Sequence, residues 1–162
     1  MKRLVKSIKS MKSMIGVTLL EIMLVLAIAA MVIVMSVRYY QSASSAQQAN
    51  AVLTQIQGIV AAADSLAQAT GSYAAITTAA VTPLLPGGSL TTPWGEAITI
   101  GSPAASSFSI DVGNVPSGVC PLLRSKLTTN NHFAGSATAG AALPTCSTTA
   151  ATAFTVFYIA NP

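Results

Sequence analysis

The sequence predicts an α+β fold: one very long N-terminal helix, its apolar half protruding, packed through its second half on a small antiparallel β-sheet head. Three observations predict it. Residues 17–37 form an apolar run broken early by a single glutamate, Glu21. Residues 49–67 return an apolar side chain every three or four positions, the period of a helix face. Beyond residue 95, short segments alternate apolar and polar with a period of two, between turns rich in Gly, Pro and Ser.

The chain of 162 residues has room for one domain besides the apolar segment. Five of its eight Lys and Arg (Lys2, Arg3, Lys6, Lys9 and Lys12) precede Gly16. Beyond that glycine, Arg38, Arg124 and Lys126 face Glu21, Asp64, Glu96 and Asp111, so the net charge of +4 belongs to the leader. No basic surface for nucleic acid survives that subtraction. Only 7% of residues are charged, against roughly 25% in average soluble proteins, so the bulk of the chain is not a charge-driven binder.

Val17 to Val37, as a helix, is about 31 Å long and matches the hydrocarbon core of a bilayer. The basic flank before it predicts a cytoplasmic N-terminus and a head carried across the membrane. A carboxylate near the start of such a span costs about 2.5–3.5 kcal/mol on insertion scales, so Glu21 needs a partner. Two simple readings leave Glu21 without one. A secretory signal peptide would use Ala27-Ile28-Ala29 as its cleavage site, although the apolar run continues well past it. A plain signal anchor would hold a periplasmic binding domain and tolerate the glutamate.

The stretch Gly16-Val17-Thr18-Leu19-Leu20-Glu21, behind its basic leader and before its apolar run, resembles the processing site of type IV prepilins. The resemblance covers the leader and the whole apolar run. It implies cleavage by a prepilin peptidase between Gly16 and Val17, N-methylation of Val17, and Glu21 as the fifth mature residue. The new α-amine is mostly cationic at neutral pH. Paired with Glu21 of a neighbouring copy it would cancel two buried charges, and any other register would leave both unpaired. The same pair four positions apart also closes within one helix. Residues 1–16 are therefore expected to be the leader, 17–37 the membrane or filament-core half of the helix, 38–71 its amphipathic half, and 72–162 the head.

In the amphipathic half the expected stripe is Ala49, Leu53, Ile56, Val60, Ala63 and Ala67, with Gly71 as the stop. Residues 72–95 read as a loop punctuated by Pro83, Pro86-Gly87-Gly88 and Pro93-Trp94-Gly95, with Trp94 as a core anchor. Strands are expected at Ala97–Ile100, Phe108–Val112 and Phe154–Ile159, and a short helix at Leu122–Leu127. Cys120 and Cys146, downstream of a translocation signal, read as one disulfide closing a loop of about 27 residues, with two unrelated buried thiols as the alternative. A leader of 16 residues and valine as first mature residue are similar to the type IVb branch. Thr92-Pro93-Trp94-Gly95 and Val115-Pro116 before Cys120 look like motifs of conjugative thin-pilus subunits. Arg38 departs from the family, standing where many pilins have a helix-loosening proline.

No catalytic set can be completed, so no enzymatic activity is expected. His132, the sole histidine, lies in a polar loop beside Asn130 and Asn131 and reads as a solvated residue. The scattered acids make no metal site, and no cofactor motif is present. The resemblance implies a pilin: an inner-membrane precursor that assembles into an extracellular homo-oligomeric filament. The implied partners are the peptidase, an inner-membrane platform protein, an assembly ATPase and, where an outer membrane exists, a secretin. A minor pilin or a type II secretion pseudopilin shares these N-terminal features.

Overall fold

The structure is a computed structural model, and it describes residues 18–162. The predicted cleavage residues Gly16 and Val17, with the leader, lie outside the described residues. The chain divides into two compact units, Met1–Gln41 and Ser42–Pro162. Its fold is α+β: a 52-residue helix α1 (Leu19–Thr70) and a four-stranded antiparallel sheet.

In the first unit, α1 is apolar on every side, and all its large side chains are exposed, from Leu19 at 76% to Tyr40 at 75%. This stretch has no core of its own. Residues 42–70 of α1 behave differently. Ala49, Val52, Ile56, Ile59, Ala62, Ala63 and Ala67 are buried in the core of the second unit. Ala49, Ile56, Ala63 and Ala67 of the expected stripe are buried; the correction is at two positions, where Val52 and Ile59 occupy the centre while Leu53 and Val60 pack at its flank. Both sets obey the three-four spacing, since neighbouring positions differ by only about 100° around the axis. α1 stops as expected: Gly71 adopts φ +77°, open to glycine and strained for other residues, and donates its N–H to the Ala67 carbonyl at 2.6 Å.

The sheet contains β1 (Ile98–Gly101), β2 (Ser107–Val115), β3 (Phe133–Ala134) and β4 (Thr152–Ile159), in spatial order β1-β2-β4-β3. Phe108, Ile110 and Val112 of β2 face the core as their alternation predicts. Ser107 and Ser109, on alternate positions, are buried as well. Phe154 and Val156 of β4 join them against the buried face of α1. The three expected strands are all present; β2 and β4 run longer than their apolar alternation suggests.

Two elements were not expected. Helix α2 (Thr78–Val81) and a following 3₁₀ turn (Thr82–Leu84) interrupt the predicted loop. The Thr77 hydroxyl caps α2 by accepting from the Ala80 N–H. α2 then serves the sheet: Ile100 N–H of β1 donates to the Thr78 hydroxyl at 2.9 Å, and Ile98 N–H donates to the Leu90 carbonyl at 2.8 Å. The outer donors of β1 are thereby sealed. The other addition is β3, only two residues long, paired to Phe157 and Tyr158 of β4.

Helix α3 (Cys120–Thr128) buries Cys120, Leu123 and Leu127 and starts two residues earlier than its leucines suggest, with Pro121 in its first turn. A disulfide joins Cys120 to Cys146, their Cα atoms 5.7 Å apart. After β3 the chain folds back so tightly that a side chain at Gly135 would overlap the Ala142 carbonyl oxygen. Only glycine fits there.

Candidate functional site

The residues singled out by the N-terminal motif meet the described structure at Glu21. It lies in the first turn of α1, where its charge complements the positive end of the helix dipole. Its N–H donates to the Thr18 carbonyl at 2.8 Å. The carboxylate is exposed. Among the described residues the next cation along the chain is Arg38, about 25 Å further on at 1.5 Å per residue. From Ile22 to Val37 the sole polar side chain is Ser36, and its hydroxyl donates to the Val32 carbonyl at 2.8 Å. A hydroxyl satisfied in this way is compatible with an apolar environment. α1 is the one described helix long and apolar enough to cross a membrane. Glu21 is thus the only ionisable group between residues 18 and 37.

Polar clamps join the turns of the head to its strands. Trp94, partly buried against the core, donates its indole N–H to the Gly113 carbonyl at 3.0 Å. That carbonyl sits where the β2–β4 register shifts, and Asn114 beside it takes φ +45°. The Asn114 carboxamide donates to Glu96 at 2.7 Å. Thr92 closes the intervening turn, its hydroxyl accepting from Glu96 N–H and donating to the Glu96 carbonyl. The expected anchor at Trp94 is therefore a clamp on a β-bulge, a role its turn motif does not reveal.

His132 is a correction. It is half-buried, stacked on Tyr158 with ring centres 5.7 Å apart, and its Nδ1 lies 2.7 Å from the Ile159 carbonyl oxygen. A nitrogen facing a carbonyl must carry the proton and donate. This histidine locks the chain end to β3. Tyr158 in turn packs on Phe108, Phe133 and Tyr73. The Tyr73 hydroxyl donates to Asp64 of α1 at 2.7 Å. Burial, and after it the bond to the Asp64 carboxylate, pushes the Tyr73 hydroxyl well above the usual tyrosine range; burial and the same carboxylate raise Tyr158.

Among the described residues no three His, Cys, Asp or Glu side chains converge on one point. One cleft of the head, against residues 54–58 of α1, is lined by Gln55, Gln57, Leu85, Pro86 and Leu90 among others. Another beside the disulfide gathers Ser117, Arg124, Ser125, Thr145 and Ser147, with no base within its lining. Such a surface offers hydrogen bonds and contact area.

No protein-family model matches this chain, and no curated protein or solved structure matches it either.

Proposed function

We propose that this chain is the structural subunit of a type IVb-like pilus, made as an inner-membrane precursor and assembled by bundling of its N-terminal helices. One observation carries the reading. An apolar helix exposed on all sides begins with a single carboxylate, Glu21, placed five residues after the glycine of a prepilin-like motif. Lipid covers such a surface in the monomer. In a filament, copies of the same helix cover it, and burial at about 25 cal/mol per Å² favours the bundle once Glu21 is neutralised.

Cleavage after Gly16 supplies the neutralising charge as the Val17 amine. The pair then sets register between copies, because a misplaced subunit leaves two charges unpaired in an apolar core. The head forms the outer surface, its role structural and adhesive rather than catalytic. The partners are those of the assembly route: prepilin peptidase, platform protein, assembly ATPase and secretin.

Intact mass measurement of the mature chain tests the reading most directly. The expected mass corresponds to residues 17–162 with one added methyl group and one disulfide. A chain still beginning at Met1 would mean a signal-anchored domain instead. Glu21→Gln is expected to preserve processing while filament yield collapses, counted by electron microscopy of sheared material. Mass spectrometry of the main filament band separates a major subunit from a minor pilin or a secretion pseudopilin.

A further inference from the structure

The apolar run of α1 ends abruptly. Val37 is followed by Arg38, Tyr39, Tyr40 and Gln41, and then by Ser42-Ala43-Ser44-Ser45-Ala46-Gln47-Gln48, which holds no large apolar side chain. Arg38, Tyr39 and Tyr40 are all exposed, the two tyrosines at 79% and 75%. No acid on α1 reaches Arg38. Glu21 stands about 25 Å before it and Asp64 about 39 Å beyond it, at 1.5 Å per residue. The guanidinium is thus a cation at an apolar–polar border whose own helix supplies no counter-charge.

Their consecutive placement decides what kind of surface these residues make. At about 100° per residue, positions 38, 39 and 40 spread over about 200° of the helix circumference. A helix face that docks on a protein repeats its contacts every three or four positions. Three side chains at one height form part of a girdle instead. A membrane–water boundary selects this composition. Tyrosine keeps its ring in the apolar layer and its hydroxyl in water, while arginine lays its stem along apolar surface and sends its head outward. The anion found at that depth is the phosphodiester of a phospholipid, which accepts two parallel hydrogen bonds from the planar arginine fork.

We propose that Arg38, Tyr39 and Tyr40 form a lipid-headgroup anchor, in which the Arg38 guanidinium binds a phospholipid phosphate at the C-terminal end of the span. This anchor rests on the membrane-spanning part of the proposed function and does not depend on filament assembly. Its effect is to set depth. The uncharged stretch from Ile22 to Val37 is about 24 Å long as a helix, against about 30 Å of hydrocarbon. So short a stretch keeps both flanking charges at the boundaries only if the bilayer thins or a long side chain extends. Arginine is the longer of the two, so the extension falls to Arg38. With Arg38 fixed at one boundary, Glu21 is held close to the other.

Arg3→Lys with Arg124→Lys leaves Arg38 the only arginine of the full chain. This chain, carrying carbon-13 at the guanidinium, is reconstituted in phosphatidylethanolamine–phosphatidylglycerol vesicles in phosphate-free buffer. Solid-state NMR with carbon-13 to phosphorus-31 dipolar recoupling is expected to show strong dephasing of the Arg38 carbon. Depth is read separately from Gln41→Cys, whose thiol is the sole free one beside the Cys120–Cys146 disulfide. Adding Arg38→Leu, Tyr39→Leu and Tyr40→Leu moves the boundary toward residue 41. Labelling of that thiol by a membrane-impermeant maleimide is then expected to slow several-fold. Retention of the disulfide and of the head's melting temperature shows that each variant folds. Absent dephasing in a chain that resists carbonate extraction, or a labelling rate untouched by the three leucines, would overturn the anchor and leave the span standing. Release of the chain by carbonate would overturn span and anchor together. An anchored chain that cells never cleave after Gly16 would remove the pilus reading alone.

Discussion

Two stretches of α1, residues 19–41 and 42–70, share one secondary structure and little else. The first exposes every side chain, apolar or not; the second buries seven. Helix propensity does not separate them, since both are rich in Ala and in long or branched apolar residues. The difference lies in what surrounds the helix. Residues 42–70 alternate apolar positions with Gln, Asn, Ser and Thr, and so carry one dry face for the sheet and one wet face. Residues 19–37 have no wet face. A helix apolar all round is a membrane span or a buried core element, and here no other part of the described chain covers it. One stretch is completed by its own chain; the other is completed by an environment that the chain does not contain.

Perturbations should therefore separate the two stretches. The largest effect is expected from Cys120→Ser with Cys146→Ser. Releasing the loop should destabilise the head by about 3.5 kcal/mol in the chain-entropy model. Chemical denaturation in detergent, followed by Trp94 fluorescence, measures the loss. The helix signal that survives head unfolding should be unchanged, because residues 19–41 draw nothing from the disulfide.

A smaller and sharper test pairs two chemically identical substitutions. Ile59→Val deletes a methylene group from a fully buried side chain and should cost about 0.5–1.5 kcal/mol of head stability. Ile28→Val deletes the same group at a position 58% exposed and should leave head unfolding where it was. Equal losses at both positions would erase the distinction between the stretches.

The least effect is confined to alkaline solution. Tyr73 and Tyr158 are both raised above the ordinary tyrosine value of about 10. Their contribution is full below that pH and is lost as pH rises through the folded-state values. The melting temperature of the head should fall above about pH 10. Tyr73→Phe should flatten part of that fall while leaving the partitioning of residues 19–41 into detergent unaltered.

Much of this division was legible before any coordinates. Glu21, the apolar run, the amphipathic period and the Gly71 stop are local patterns, and local patterns survive folding. The three main strands announced themselves through alternation for the same reason. α2 and β3 did not, because four and two residues are too few to carry a period. Each exists through a distant partner: Thr78 through the Ile100 N–H, Phe133 and Ala134 through β4. His132 was misread on similar grounds, its polar neighbours giving no hint of Tyr158 or Ile159.

The small seal on β1 has a consequence for how densely such a chain can be kept. On the proposed reading, heads are held side by side and their strand edges meet repeatedly. A strand with unpaired outer donors would, under such crowding, be a seed for cross-β growth. The Thr78 hydroxyl and the Leu90 carbonyl already occupy those donors. A four-residue helix too short to carry a period and the loop residue Leu90 thus leave Ile98 and Ile100 of β1 no free donor for a neighbouring strand.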